Sequence, residues 1–293
     1  MDLKILYRGP LSSCNYGCNY CPFAKRHESR AELADDERAL ARFVAFVRRA
    51  ETHRFGLFFT PWGEGLVRRW YRQALAALSQ LDHVDKVAIQ TNLSAPLDWL
   101  AQARPERVGL WATYHPEWTT RQKFLAQVRR ADAAGARISV GAVGFVKFAD
   151  EIAALRAQLP PHIYLWINAV KSGADAQLYS PRILERFSAI DPLFALNRGA
   201  HASAGRRCRA GESVFTVDGD GEMRRCHFIR ERIGNLYDAG WERSLVARDC
   251  SNATCGCHIG YVHLEYLELD KVFGAGILER IPAERIWPAS VQH

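Results

Sequence analysis

From residue 3 to about residue 170, short apolar runs alternate with amphipathic stretches, and that alternation leaves few folds open to the chain. LKILYR (3–8), FGLFFT (55–60), KVAIQT (86–91), RVGLWATY (107–114), RISVGAVGF (137–145) and IYLWINAV (163–170) are dense in β-branched and aromatic residues, as buried strands are. Between them, DDERALARFVAFVRRA sets Leu40, Phe43, Val44 and Val47 at i, i+3, i+4 and i+7. LVRRWYRQALAALSQL and RQKFLAQVRRADAAGA repeat the helical period, the second ending at Gly135, a C-cap glycine. Strands followed by helices imply βαβ units and a parallel sheet, and six such units suit an open, partial barrel. Functional groups are then expected where strands end and βα loops begin.

After residue 190 the period disappears. SVFTVDGDGEMRRC has two short strand-like runs around Asp218-Gly219-Asp220-Gly221, a hairpin signal; CSNATCGCHIG concentrates three cysteines; YVHLEYLELDKVF reads as a closing helix. With no low-complexity linker or repeat between the parts, the expected organisation is a partial (β/α)6 TIM barrel over 1–190 carrying a small segment over 191–293.

The cysteines narrow the chemistry. MDLKILYRGP breaks its apolar stretch at Lys4 and Arg8, so it lacks a signal peptide's core, and no later run is long enough to span a bilayer. The expected location is the cytoplasm, where thiols stay reduced, so eight cysteines read as metal ligands rather than disulfides. SSCNYGCNYCPF (12–23) places Cys14, Cys18 and Cys21 in C-x3-C-x2-C spacing directly after the first strand. Three thiolates can wrap one face of a four-iron cubane and leave one iron open for chemistry. Cys14, Cys18, Cys21 and His27 could instead make a zinc site, but zinc knuckles are built from paired C-x2-C units.

CNYGCNYC, with Tyr20 just before the third cysteine, resembles the signature of the radical S-adenosylmethionine (SAM) superfamily. The resemblance implies a [4Fe-4S] cluster on Cys14, Cys18 and Cys21 whose free iron chelates SAM. One electron from a donor such as flavodoxin or ferredoxin cleaves SAM, and the 5′-deoxyadenosyl radical takes hydrogen from a substrate. The family's Gly-Gly-Glu-Pro motif after strand two corresponds to Trp62-Gly63-Glu64-Gly65, which departs from it at both ends. Gly63 and Glu64 remain candidates for the SAM ammonium. Thr91, Asn92, Thr113 and His115, at the ends of strands three and four, are candidates for the ribose and carboxylate of SAM. Asn168 and Ala169, ending strand six, are candidates to offer backbone to the adenine.

Beyond residue 200, Cys208, hairpin Gly221, Cys226 and IGNLYD (233–238) resemble the opening of the auxiliary-cluster segment called twitch, or in fuller form SPASM. The resemblance implies one auxiliary [4Fe-4S] cluster, because five thiols are too few for the two clusters of a full SPASM domain. Cys208, Cys226, Cys255 and Cys257 are the expected ligands, Gly256 freeing the backbone to fold adjacent thiols together; Cys250 is the alternative. His258 reads as a core or supporting histidine. Seven arginines flank Cys208 and Cys226 (Arg206, Arg207, Arg209, Arg224, Arg225, Arg230 and Arg232); they either offset cluster charge, bind an acidic substrate or form a solvated face. The formal charge of +7 would raise nucleic acid as a partner, but clusters on seven thiolates would offset about half of it, and nucleic acid is not expected.

Twitch and SPASM enzymes commonly modify ribosomally made peptides or proteins. The expected reaction is hydrogen abstraction from a peptide or protein side chain. Oxidation or rearrangement of a small metabolite is the alternative, and a non-catalytic iron-sulfur binding or sensor protein a third. With 13 residues ahead of Cys14, a peptide substrate would be recognised by the barrel mouth or by a separate peptide-recognition protein.

Overall fold

The computed structural model describes residues 2–21, 23, 26–171 and 178–288. Ser172 and Gly173, expected at the barrel mouth, and the last five residues of the C-terminal segment lie outside the described residues.

Six parallel strands follow one another across the sheet: β1 (Asp2–Arg8), β2 (Arg54–Phe59), β3 (Val84–Thr91), β4 (Val108–Tyr114), β5 (Arg137–Val143) and β6 (Leu165–Asn168). Their side chains alternate between two apolar layers. Leu3, Ile5, Tyr7, Leu57, Phe59, Val87, Ile89, Leu110 and Ala112 lie under the helices, while Leu6, Phe58, Ala88, Trp111 and Trp166 line the opposite, concave face. Helices α1 (Arg30–Arg49), α2 (Arg69–Ser79), α3 (Arg121–Ala133), α4 (Ala149–Gln158) and α5 (Pro181–Ile190) cover the convex side.

The crossover between β3 and β4 contains two short 3-10 turns and no α-helix. Helix α1 starts at a capping box formed by Ser29 and Glu32, and Leu40, Phe43 and Val47 are buried on its inner face. Gly135 closes α3 with a φ of +83°, where its N–H reaches Asp132 O.

The boundary expected after residue 190 coincides with the end of α5, yet the C-terminal segment joins the same sheet. After α6 (Phe194–Arg198) come β7 (His201–Ala202), β8 (Arg207–Cys208), β9 (Val214–Asp218), β10 (Glu222–Arg224) and β11 (Arg232–Asn235). Strand β9 pairs parallel to β1, and β10 and β11 add antiparallel beyond it, giving a nine-stranded sheet. Two strand pairs then close the segment: β12 (Arg248–Asp249) on β8 and β13 (Thr254–Cys255) on β7.

The expected closing helix is broken. It appears as α7 (His258–Tyr261), a 3-10 turn and α8 (Leu269–Phe273), interrupted at Glu268, whose φ is +49°. This tail fills the concave face. Glu279 is fully buried and accepts from Lys86 and from Arg137 Nε (2.6 Å), while its carbonyl takes Ser139 Oγ (2.6 Å). Since Lys86 and Arg137 stand at or near strand starts, the tail closes that end and leaves the carboxyl ends of the strands for a site. Among the described residues no helix is long and apolar enough to cross a membrane.

Candidate functional site

The loop after β1 is fixed from outside by two carboxylates that the sequence reading did not single out. Asp36 of α1 accepts Leu11 N (3.1 Å), Trp70 Nε1 (2.7 Å) and Tyr71 Oη (3.2 Å), joining the loop to α1 and α2. Glu28 accepts Ser12 N (2.8 Å), Ser12 Oγ (3.2 Å) and Ser13 Oγ, and Arg68 Nη2 donates to Ser13 Oγ (2.9 Å). Asp36 had a legible signal: it continues the stripe of Leu40, Phe43 and Val47, where a charged residue is buried only with partners.

The loop after β2 lies hard against this one. Glu64 N donates to Ser13 O (3.2 Å), and a Cβ on Gly63 would sit 1.7 Å from that oxygen. Only glycine allows this approach. Gly63→Ala is expected to push Ser13 and the Cys14 loop outward and to destabilise the protein by about 1–3 kcal/mol. Thermal unfolding and the reactivity of Cys14 and Cys21 towards a thiol reagent check it; unchanged values in both would show that the two loops give way freely.

Glu64 is buried rather than presented on an open loop. Its Oε1 accepts Leu66 N (3.0 Å) and Thr91 Oγ1 (2.8 Å), and Oε2 accepts Asn92 N, so the side chain ties the β2 loop to the end of β3. Burial raises its pKa to about 7 in spite of these donors.

One cleft at the carboxyl ends of the strands gathers Cys14, Cys18 and Cys21 with Gly63, Glu64, Thr91, Asn92, Thr113 and His115. Asn92 Nδ2 donates to Asn15 Oδ1 (2.9 Å) and lies 3.8 Å from Cys14 Sγ; Tyr16 N donates to the same sulfur (3.4 Å). Tyr20 Oη stands 2.7 Å from His115 Nδ1, which is also 3.6 Å from Cys18 Sγ. Burial lowers the His115 pKa to about 4, so the imidazole is neutral at pH 7. Trp62, in place of the motif's first glycine, lines the cleft and carries the Arg8 guanidinium 4.2 Å over its ring.

Asn168 and Ala169 are not in the lining of this cleft. Ala169 N donates to Asn197 Oδ1 (3.1 Å), and Asn168 O accepts Gly144 N (2.8 Å), so both of these backbone groups already have partners. His27, the fourth ligand of the zinc alternative, is exposed. Among the described residues no group of three His, Cys, Asp or Glu could hold a single metal ion.

The later thiols, Cys208, Cys226, Cys250, Cys255 and Cys257, all lie in the segment after α6. Strand β12 pairs Arg248 with Cys208, and Cys250 N donates to Arg206 O (2.9 Å), which brings Cys250 beside β8. Buried Arg225 holds this arrangement through the carbonyls of Ala210 (3.1 Å), Asp249 (2.5 Å) and Arg248 (2.7 Å). Burial raises the pKa of Cys208, Cys226 and Cys255, the last to about 12, and the charges of Cys226 and Cys250 bear on both Cys208 and Cys255. Cys255 also feels Cys257, two residues away. Burial also raises the pKa of Cys257, against a backbone donor and the positive charges of Lys171, Arg280 and Arg8.

His258 is a core residue, its ring edge-on to Trp111, Tyr261 and Phe273. Of the seven arginines, Arg207, Arg209, Arg224 and Arg232 pair with carboxylates and Arg206 stacks on Tyr266.

No protein-family model matches the sequence, and no curated protein matches it. Solved structures do match. They include SuiB of Streptococcus suis bound to S-adenosylmethionine, at a TM-score of 0.51 and 14% identity over 82% of this chain and 66% of that one. They also include anSMEcpe with bound AdoMet (TM-score 0.52, 13% identity, 84% of this chain and 80% of that one). The same protein with AdoMet and the Kp18Cys peptide gives a TM-score of 0.55 at 13% identity, over 84% and 80% of the two chains. This chain shares their fold. It is a mixed α/β partial barrel, as the alternation of strands and helices predicts, and it spans 66% of the length of SuiB.

Proposed function

We propose that the chain is a radical SAM enzyme acting on a peptide or protein side chain. The observation that carries this reading is the single cleft that joins three thiols, a buried carboxylate and short polar side chains at the carboxyl ends of parallel strands. Supporting it is the fold shared with proteins solved with AdoMet and, in one case, a peptide.

The donor set fits a [4Fe-4S] cluster: Cys14, Cys18 and Cys21 line one cleft, and three thiols are a softness and number suited to three irons of a cubane. Bound there with SAM, the cluster supplies one-electron cleavage of SAM and, through the resulting radical, hydrogen abstraction. The protein's own residues orient and shield. Glu64 offers Oε2 to the SAM ammonium; Asn92 and neutral His115 add polar contacts without adding charge; His115 lines the cleft near Cys18, and Tyr20 Oη holds its ring from behind. A second cluster on Cys208, Cys226, Cys250 and Cys255 is supported by the β8–β12 pairing and the Arg225 clamp, and Cys250 here replaces Cys257 of the sequence expectation.

The reading is tested by incubating reconstituted protein with SAM and dithionite. Formation of 5′-deoxyadenosine supports it; a protein that keeps its clusters and never cleaves SAM is a binding or sensor protein.

Glu64 gives a pH signature. Its pKa in the fold, about 7, exceeds the ordinary 4.5, so the folded state holds this proton more tightly than the unfolded chain. Its contribution to stability is therefore full below about pH 4.5 and is lost as pH climbs through 7. A cation beside the carboxyl favours the charged form, so SAM affinity is expected to rise as pH climbs through about 7 and then level off. Glu64→Gln removes a charge-assisted contact of about 1.5–3 kcal/mol, at least about tenfold in affinity, and abolishes that pH dependence. It also lowers stability, because the Gln amide group cannot accept from all three donors. Isothermal titration across pH 6–8 checks this; an identical pH profile in the variant would remove Glu64 from the SAM site.

A further inference from the structure

A second cavity, of about 280 Å³, opens beside the cleft, and Arg8, Trp62, Asp218, Arg224, His227 and Arg230 line it. It lies at the same rim: Arg8 ends β1, and the parallel pairing of β1 with β9 sets Asp218 directly opposite. Trp62 borders both this cavity and the cleft that holds the cysteine triplet. Small-ligand pockets run from about 300 to 1,000 Å³, so this one is sized for a side chain or a small ion rather than for a length of peptide.

The charges in the lining do not cancel. Opposite charges facing each other on paired strands ordinarily bond across the sheet, yet Asp218 is engaged elsewhere: its Oδ2 accepts Arg224 Nη1 (2.9 Å), and its Oδ1 accepts the amides of Asp220 (3.1 Å) and Glu222 (3.0 Å). Arg224 also donates to the Glu222 carboxylate. Two cations are left, half-buried Arg8 and exposed Arg230, and among the described residues neither takes part in an ion pair. Arg8 is held in place without being neutralised. Its Nε donates to Thr60 O (2.7 Å), its guanidinium lies 4.2 Å over the Trp62 ring, and fully buried Thr60 also fixes His227, whose Nε2 is 2.9 Å from Thr60 Oγ1. The ring face and one carbonyl offset part of the cost of partly burying this cation; the rest calls for an anion.

We infer that this cavity receives a carboxylate of the substrate, held by Arg8 and Arg230, while a nearby side chain of the same substrate passes Trp62 into the cleft. The inference rests on the peptide reading above, since carboxylates are the standing anions of an unmodified peptide. It specifies that reading further: the substrate carries Asp, Glu or a C-terminal carboxylate close in sequence to the residue presented to the cleft.

Calorimetry on the reconstituted full chain with SAM present, titrated with glutarate, neutral glutaramide and inorganic phosphate, tests it. Glutarate is expected to bind, more weakly as salt rises, and glutaramide not to bind. Arg8→Gln is expected to weaken glutarate about tenfold or more, with Arg8→Lys retaining part of the affinity. Arg230→Gln, an exposed change that the fold tolerates, is expected to weaken it about two- to fivefold. Lys123→Gln removes the same charge from an exposed position on α3 and is expected to bind glutarate as the wild type does. Absence of glutarate binding to the wild type, equal binding to wild type and Arg230→Gln, or equal weakening by Lys123→Gln overturns the inference. So does binding of phosphate with exclusion of glutarate, and so do Arg8 and Arg230 variants that shift the EPR spectrum of the auxiliary cluster and leave glutarate affinity unchanged, which would make these cations its counter-charge. Glutarate binding by a wild type that never cleaves SAM would count against the proposed function and leave the cavity's ligand to stand by itself.

Discussion

A chain carrying Cys14→Ala, Cys18→Ala and Cys21→Ala together is expected to lose about four irons and all SAM cleavage, while keeping about four irons in a second cubane. The fold should survive, because the loop bearing these thiols is held by other groups: Asp36 on Leu11 N, Glu28 on Ser12 and Ser13, and Ser13 O on Glu64 N. The sulfurs add weak contacts, such as Tyr16 N to Cys14 at 3.4 Å. Iron analysis, Mössbauer spectra and 5′-deoxyadenosine formation read the three parts of this expectation separately. Undiminished SAM cleavage would remove the triplet from the chemistry, and collapse of both clusters would mean that the thiols serve the fold.

Much of this site was legible because it sits at strand ends, and strand ends follow from periodicity. Once the alternation gives a parallel sheet, the loops after β1 to β4 must open on one rim, and Cys14, Glu64, Asn92 and His115 meet there although they are about 100 residues apart in sequence. Two things were hidden. The role of Glu64 as a stitch to Thr91 and Asn92 depends on the close approach of two loops, which the lone Gly63 hints at and cannot fix. The break in the closing segment at Glu268 was hidden too, since YVHLEYLELDKVF has helical composition and the concave face decides where it bends.

The ligand set proposed for the last thiols rests on contacts of the same kind. Proximity in sequence and the flexibility of Gly256 favour Cys255 with Cys257, and neither indicates that β12 will pair with β8. That pairing sets Arg248 against Cys208 and leaves Cys250 next in line, while Arg225, 4% exposed, reaches the carbonyls of both β12 residues, Arg248 and Asp249. A segment that is two residues long when paired carries almost no periodic signal, so its partner is chosen by tertiary contacts.

Single variants separate the two ligand sets. Cys250→Ala is expected to lose the auxiliary cluster, about four irons per chain, and to keep the cluster of the triplet. Cys257→Ala is expected to retain both, because the β8–β12 pairing and the Arg225 clamp bring Cys250, and not Cys257, beside Cys208. Its stability cost should be that of an ordinary substitution, about 1 kcal/mol. Cys255→Ala should behave like Cys250→Ala, since Cys255 is held by β13 on β7 and feels both Cys226 and Cys250. Iron content with Mössbauer spectra of the three proteins decides among these outcomes. The reverse pattern, with Cys250→Ala intact and Cys257→Ala depleted, would restore the adjacent pair as ligands. Depletion in all three would require a fifth thiol close enough to exchange with the other four, and the separation of Cys257 from the auxiliary set would then be wrong.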